Sequence, residues 1–212
     1  MSSTQEKIPL LVPYWDTRDA ERAGARFNKA DGYHVLSEDD DLDAVWGWLP
    51  QRWRSKEPSL LPEMLPVDTW EQNLRLRVTE AQWDAVRKQV YAMNGYRCEV
   101  CGSPGRPQLE AHEAWEFDDF FASQKMVGIK CLCSLCHKTA HLGIARRLNM
   151  YEEVITHMKF VNRWSHTQLQ DALDAARVTW EERNRYGWAV DLSWIDTGGF
   201  RDILERSQDR FG

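Results

Sequence analysis

Apolar and polar positions alternate in short stretches through the first fifty residues. Residues 8–13 and 32–36 are apolar runs that predict two short strands. Small apolar side chains and one aromatic recur at helical spacing over residues 19–27, and a second apolar stripe covers residues 42–49, so both stretches predict helices. This order predicts a small N-terminal α/β module over residues 1–50.

Four prolines interrupt the pattern between residues 50 and 66. Each proline removes a backbone donor and fixes φ, which disfavours regular helix or sheet. We therefore predict a linker over residues 51–69, and the basic and aromatic patch over residues 51–56 is typical of an exposed tether.

Longer elements follow, and they predict an α+β domain over residues 70–164. A capping box at Thr79 predicts a helix. Residues 109–115 and 126–132 are strand candidates, and a further helix is expected to begin near Ser134. The two strands and the helix after them therefore predict a strand–strand–helix core.

The end of the chain predicts a helical extension over residues 165–212 that packs on this domain. Residues 151–163 have helical spacing, and a capping box at Ser165 opens the next helix. Residues 191–195 predict a short strand or an extended segment. The inward residues expected for the helix after Ser165 are Leu169, Leu173, Ala176 and Trp180, and those expected for a last helix are Phe200, Ile203, Leu204 and Phe211.

Composition narrows the class of protein. The 212 residues are 42% hydrophobic, which is enough for a buried core. No stretch approaches the roughly 20 apolar residues of a membrane span, and the N-terminus has no apolar signal region, so we expect a cytoplasmic protein without a membrane partner. The net charge of −6 argues against coating nucleic acid by bulk electrostatics, although residues 63–163 are neutral before any cation is added.

The strongest chemical signal is a pair of Cys-x-x-Cys motifs. Cys98 and Cys101 form the first motif, and Cys133 and Cys136 form the second. Two such motifs are the usual thiolate set of a structural Zn²⁺ ion, with two ligands from each. The fifth cysteine, Cys131, is expected to be a buried free thiol.

Three histidines lie outside this thiolate set. His137 and His141 are one turn apart on the predicted helix, so they can present two imidazoles to one ion. His112 lies in the first strand, with Glu110 on its own face and Glu113 on the opposite face. These residues predict a second, divalent metal site. The alternative is that His141 caps its helix or replaces a cysteine at the zinc.

Residues 93–145 resemble the HNH endonuclease family. The resemblance rests on the first Cys-x-x-Cys, a Leu-Glu-x-His strand, and a Leu-Cys-x-x-Cys-His segment followed by x-x-x-His. It implies a ββα-metal fold with zinc knuckles, in which His112, His137 and His141 hold the catalytic metal, which is Mg²⁺, Mn²⁺, Ni²⁺ or Zn²⁺. Glu113 stands where the family has its general-base histidine, and Gly128 or Gln124 stands in for its asparagine. Either Glu113 is then the general base, or His112 is the base and Glu110 or Glu113 binds the metal.

The N-terminal module has a resemblance of its own. Val12-Pro-Tyr14, the segment ending at Phe27, and Trp46-x-Trp48 resemble a small module found beside plasmid conjugation and primase-type proteins. That resemblance implies a phage, plasmid or defence setting, in which this module would bind a host or phage protein.

Together these features predict an endonuclease that hydrolyses DNA phosphodiester bonds. Lys138, Arg146 and Arg147 are the nearest candidates for contacts with phosphate. The alternative function is a zinc-stabilised nucleic-acid- or protein-binding adaptor whose nuclease site has degenerated.

Overall fold

A computed structural model describes residues 7–37, 39–104, 108–197 and 200–202 of the chain, and it has a mixed α+β fold. The strands are β1 (Lys7–Pro9), β2 (Arg26–Asn28), β3 (Tyr33–Ser37), β4 (Leu109–Asp118), β5 (Ser123–Cys133) and β6 (Ala189–Asp191). The helices are α1 (Thr17–Arg22), α2 (Gln51–Arg54), α3 (Glu80–Met93), α4 (Ser134–Ala140), α5 (Leu142–Arg147), α6 (Tyr151–Asn162) and α7 (His166–Arg183).

The N-terminal sheet has β3 at its centre, between antiparallel β1 and β2. The helix predicted over residues 19–27 is wrong in its second half, because α1 ends at Arg22 and the chain turns back into β2. Gly24 has a φ of +102°, a conformation that stops a right-handed helix. Phe27 is consequently 51% exposed instead of buried, and the second predicted helix is a 3-10 helix over Asp43–Trp48.

The segment that follows is packed at its start and again at Leu60, and residues 55–58 between them are exposed, so the expectation of an exposed tether over residues 51–56 is wrong for residues 51–54. Gln51 and Arg52 donate backbone hydrogen bonds to the Glu99 and Val100 carbonyls at 2.8 and 3.1 Å. Leu60 is buried in the core with the zinc-motif cysteines. Residues 51–64 are therefore joined to the rest of the fold through the first Cys-x-x-Cys turn and the core around Leu60.

The central feature is a long hairpin that leads directly into a short helix. β4 pairs antiparallel with β5, with an irregularity between Ala114 and Trp115. α4 begins at the residue after β5 ends. β6 joins β5 in parallel, and a 3-10 helix over Ser193–Ile195 replaces most of the strand predicted there.

Both predicted capping boxes are confirmed, at the start of α3 and of α7. On α7, Leu169 is buried as predicted, whereas Trp180 is 38% exposed and does not point fully inward. Of the predicted last helix, Phe200 is buried, and Ile203, Leu204 and Phe211 lie outside the described residues. None of the described helices is long and apolar enough to cross a membrane.

The N-terminal module lies very close to the first Cys-x-x-Cys turn. A Cβ at Gly102 would lie 2.7 Å from the Pro9 ring and 2.8 Å from the Pro50 ring. The Arg97 guanidinium, in the same turn, lies 3.5 Å from the centre of the Tyr33 ring. A side chain at Gly102 would therefore separate the two surfaces.

Candidate metal centres

Four cysteine thiols converge at the junction of the hairpin with the first Cys-x-x-Cys turn. Cys98 and Cys101 lie in the turn after α3, which is closed by a hydrogen bond from the Gly102 amide to the Cys98 carbonyl (2.8 Å). Cys133 ends β5, and Cys136 lies in the first turn of α4. Their sulfurs lie within 4.8 Å of one another, so the four side chains are placed to hold one metal ion.

The pKa shifts of these cysteines indicate that four thiolates are stable together only with a bound cation. Burial raises the pKa of Cys98, and hydrogen bonds with the neighbouring thiols raise the pKa of Cys136. Hydrogen bonds from Cys101, Cys136 and Cys98 lower the pKa of Cys133. The bare chain therefore does not hold four thiolates at once, whereas Zn²⁺ binds thiolates in tetrahedral sites and offsets their charge. The cluster is consistent with the predicted structural zinc.

A histidine that the sequence did not single out lies beside this cluster. The Nε2 of His157, on α6, is 3.2 Å from the Cys136 sulfur. Burial lowers the pKa of His157, but hydrogen bonds to Cys101 and Cys133 outweigh burial and raise it to about 9. His157 can therefore donate a charge-assisted hydrogen bond to a thiolate ligand.

Cys131 is separate from the cluster and is a buried free thiol, as predicted. Its Sγ donates to the Arg97 carbonyl oxygen over 3.2 Å. Burial raises its pKa, so this thiol stays protonated and does not compete for metal.

The second group consists of His112, His137 and His141, whose ligand nitrogens lie within 4.8 Å of one another. Their ring centroids are 4.9 to 5.0 Å apart in each pair, and the rings meet edge to face. His141 directly follows the last residue of α4 and lies with the other two histidines rather than with the cysteines. Burial, together with the other two histidines, lowers its pKa to about 4, so the ring is neutral and able to bind a metal.

Glu110 orients one of these rings. Its Oε2 is 2.6 Å from Nδ1 of His137, and its other oxygen is 3.5 Å from the Lys138 ammonium, which also contacts Ser134. The hydrogen bond to His137 lowers the pKa of Glu110 to about 2 despite burial. A carboxylate on one ring nitrogen leaves the other nitrogen of His137 for a metal, as in many histidine-ligated sites.

Glu113 points away from the three imidazoles. Its Oε1 accepts a hydrogen bond from the Leu74 amide at 2.7 Å, and burial raises its pKa. Gly128 pairs with Ala114 in the hairpin, and the side-chain oxygen Oε1 of Gln124 accepts a hydrogen bond from Thr69 Oγ1 (3.1 Å). The structure therefore does not bring Glu113 into the histidine group.

The predicted phosphate contacts lie just beyond the site. Arg146 and Arg147 are exposed at the end of α5, and the Arg146 guanidinium is 4.5 Å from the centre of the Tyr151 ring. Lys138 is instead held in its ion pair with Glu110. Of the three residues predicted to contact phosphate, Arg146 and Arg147 are therefore the exposed ones.

The donor set suits a divalent metal. His112 is 4% exposed, and its Nε2 has no hydrogen-bond partner among the described residues. A buried nitrogen without a partner is costly unless an ion or a water satisfies it. Imidazole ligands suit Zn²⁺, Ni²⁺ and related ions. A cavity of about 720 Å³ adjoins His112 between residues 51–64, the hairpin and α7.

Comparisons of the chain with protein-family models, with curated proteins and with solved structures found no match.

Proposed function

We propose that this protein is a metal-dependent HNH-type endonuclease that hydrolyses DNA phosphodiester bonds in a phage, plasmid or defence setting. The observation that carries the proposal is the convergence of His112, His137 and His141 from a hairpin strand and the helix after it. A separate thiolate set holds the same hairpin and helix. This order of elements supports the ββα-metal core that the sequence resemblance implies.

The residues divide into ligands and groups that orient them. A divalent cation bound by the three imidazoles would supply positive charge against the scissile phosphate and the leaving oxygen. Glu110 holds the His137 ring through Nδ1. Burial keeps His141 neutral, which is the form that binds metal without first releasing a proton.

Glu113 is given a positioning role in this proposal. A general base must lie within hydrogen-bond reach of the water it deprotonates. The Glu113 carboxylate instead accepts from the Leu74 amide, and it fastens β4 to the 3-10 helix over Leu74–Leu76. Of the two residues predicted as the base, only His112 lies in the histidine group, and it is free to act as the base only where a carboxylate takes its place on the ion.

DNA is the proposed substrate because the site has the parts that a phosphodiester backbone requires. Arg146 and Arg147 are exposed on the helix that follows His141. Contacts of this kind position a backbone without reading its sequence. An acidic chain would then bind DNA locally, through these arginines and the bound cation, with a strong dependence on salt.

The test is cleavage of plasmid and single-stranded DNA by zinc-loaded protein with Mg²⁺, Mn²⁺ or Ni²⁺. His112→Ala and His141→Ala are expected to lose at least about 100-fold in cleavage rate, because even residues that only support metal ligands contribute 10–100-fold. His166→Ala is the matched control, since that histidine is exposed at the start of α7. If no ion supports cleavage by a chain that retains one zinc, the proposal is wrong.

The adaptor alternative is favoured by one observation, which is that Glu113 is turned away from the histidines. An adaptor would bind DNA or a protein without cutting DNA under any of these conditions. Trp46 and Phe27 are 49% and 51% exposed on the N-terminal module. Trp46→Ala and Phe27→Ala should therefore weaken the binding of a protein partner to that module.

A further inference from the structure

We infer that Glu63 is a fourth ligand of the histidine group, which would then be a site of three imidazoles and one carboxylate. This inference rests on the proposed function only in treating the three histidines as a metal site. Glu63 is far from them in sequence and lies in the proline-containing segment that the sequence predicted to be a linker.

Two buried atoms without partners carry the inference. Oε2 of Glu63 lies 3.0 Å from Nε2 of His112. Neither atom has a hydrogen-bond partner among the described residues, although the two atoms lie this close. Ligand atoms that bind one ion at 2.0–2.2 Å are themselves about 3–3.6 Å apart, so this separation suits two neighbouring ligands of one ion. Glu63 lies outside the group of ligand atoms that are all within 4.8 Å of one another, so binding of the ion would also have to draw its carboxylate toward His137 and His141.

The backbone around Glu63 is held in place from three directions. The Glu63 amide donates to the Ala140 carbonyl of α4 at 3.1 Å. The Asn162 side chain accepts from the Leu60 amide at 3.0 Å and donates to its carbonyl at 2.7 Å. Arg183 donates to the Met64 carbonyl at 3.0 Å. Because these bonds already order the segment, the carboxylate reaches the site at little further entropic cost.

A carboxylate would change which ion the site prefers. Three neutral imidazoles favour Ni²⁺ or Zn²⁺, whereas a charged oxygen ligand adds affinity for harder ions such as Mn²⁺ and Mg²⁺. It would also cancel part of the charge of a buried dication. The competing role for Glu63 is a simple ion pair with protonated His112, which would affect folding without selecting between metals.

The experiment is a calorimetric titration of the full chain, loaded with one zinc on its cysteines, with Mn²⁺ and separately with Ni²⁺. Glu63→Gln is expected to lose at least about tenfold in Mn²⁺ affinity, with a smaller loss for Ni²⁺. Glu57→Gln is the matched control, because Glu57 is an exposed carboxylate that lines the same cavity, and its affinities should match wild type within about twofold. Urea unfolding without added metal should place Glu63→Gln close to wild type.

Several results would overturn the inference. One is Mn²⁺ binding by Glu63→Gln that equals that of wild type. A second is an equal loss of both ions through a loss of folding, and a third is the same defect in Glu57→Gln. Wild-type protein that binds neither ion would also overturn it. The proposed function is tested separately. If Glu63→Gln shows the expected loss of Mn²⁺ affinity but wild type cuts no DNA, Glu63 is retained as a ligand and the nuclease is refuted. If wild type cuts DNA but Glu63→Gln binds Mn²⁺ as wild type does, the nuclease is retained and Glu63 is rejected as a ligand.

Discussion

Replacing Gly95 by alanine tests how tightly the N-terminal module is joined to the rest of the chain. Gly95 follows α3 and has a φ of +58°. A Cβ there would lie 2.5 Å from the Val12 carbonyl oxygen and 2.9 Å from its carbon. Both are backbone atoms, so the contact can be relieved only by moving the backbone of the N-terminal module.

A matched control separates the two costs of this substitution. Gly32 has a φ of +74°, and a Cβ there meets nothing within 4 Å. A side chain in the left-handed region costs about 1–2 kcal/mol at either position, and overpacking adds about 1–3 kcal/mol at Gly95 alone. We therefore expect Gly95→Ala to lower the free energy of unfolding by about 2–5 kcal/mol and Gly32→Ala by about 1–2 kcal/mol.

The assay is urea unfolding followed by tryptophan fluorescence, with zinc in excess so that metal loss does not limit either variant. The quantity compared is the difference between the two alanine variants, which isolates the contact with Val12. Equal destabilisation by Gly95→Ala and Gly32→Ala would refute the reasoning, because it would mean that the module moves away from α3 at no measurable cost.

Three further results are expected. Chelation of the zinc should lower thermal stability and also abolish Ni²⁺ binding by the histidines, because Cys133 and Cys136 hold the helix that carries His137. An unchanged Ni²⁺ titration after zinc removal would contradict this. His157→Gln should speed zinc transfer to a competing chelator about tenfold because a donor to the Cys136 sulfur is lost, whereas His166→Gln should match wild type. Glu113→Gln retains an acceptor for the Leu74 amide and should bind metal and cut DNA as wild type does; a selective loss of cleavage in a folded variant would make Glu113 the base.

Local patterns were sufficient to predict the parts of the site that lie close together in sequence. The Cys-x-x-Cys spacing placed its cysteines in turns or at a helix start, and the four-residue spacing of His137 and His141 brought both rings to one group. The capping boxes at Thr79 and Ser165 located two helix starts because their hydrogen bonds involve only neighbouring residues.

The residues that sequence patterns missed reach their sites through long-range contacts. Glu63 meets His112 across 49 positions, and His157 meets Cys136 across 21, and neither has a spacing that would indicate a ligand. Phe27 was misplaced for a different reason, because helical spacing continued through Gly24 although the backbone there is left-handed. The end of α1 is therefore decided by one glycine and by pairing with β3.

The shortness of α4 has a consequence for the order in which the protein assembles. Seven residues are too few for a helix to persist in water without support from its surroundings. Cys133 directly precedes α4 and Cys136 lies in its first turn, whereas His137 lies within the helix and His141 directly follows it. We therefore expect a hierarchy of metal loading, in which a newly made chain captures zinc first and only then presents converged imidazoles to a second ion. Metal binding by the three histidines would in this way depend on the supply of zinc.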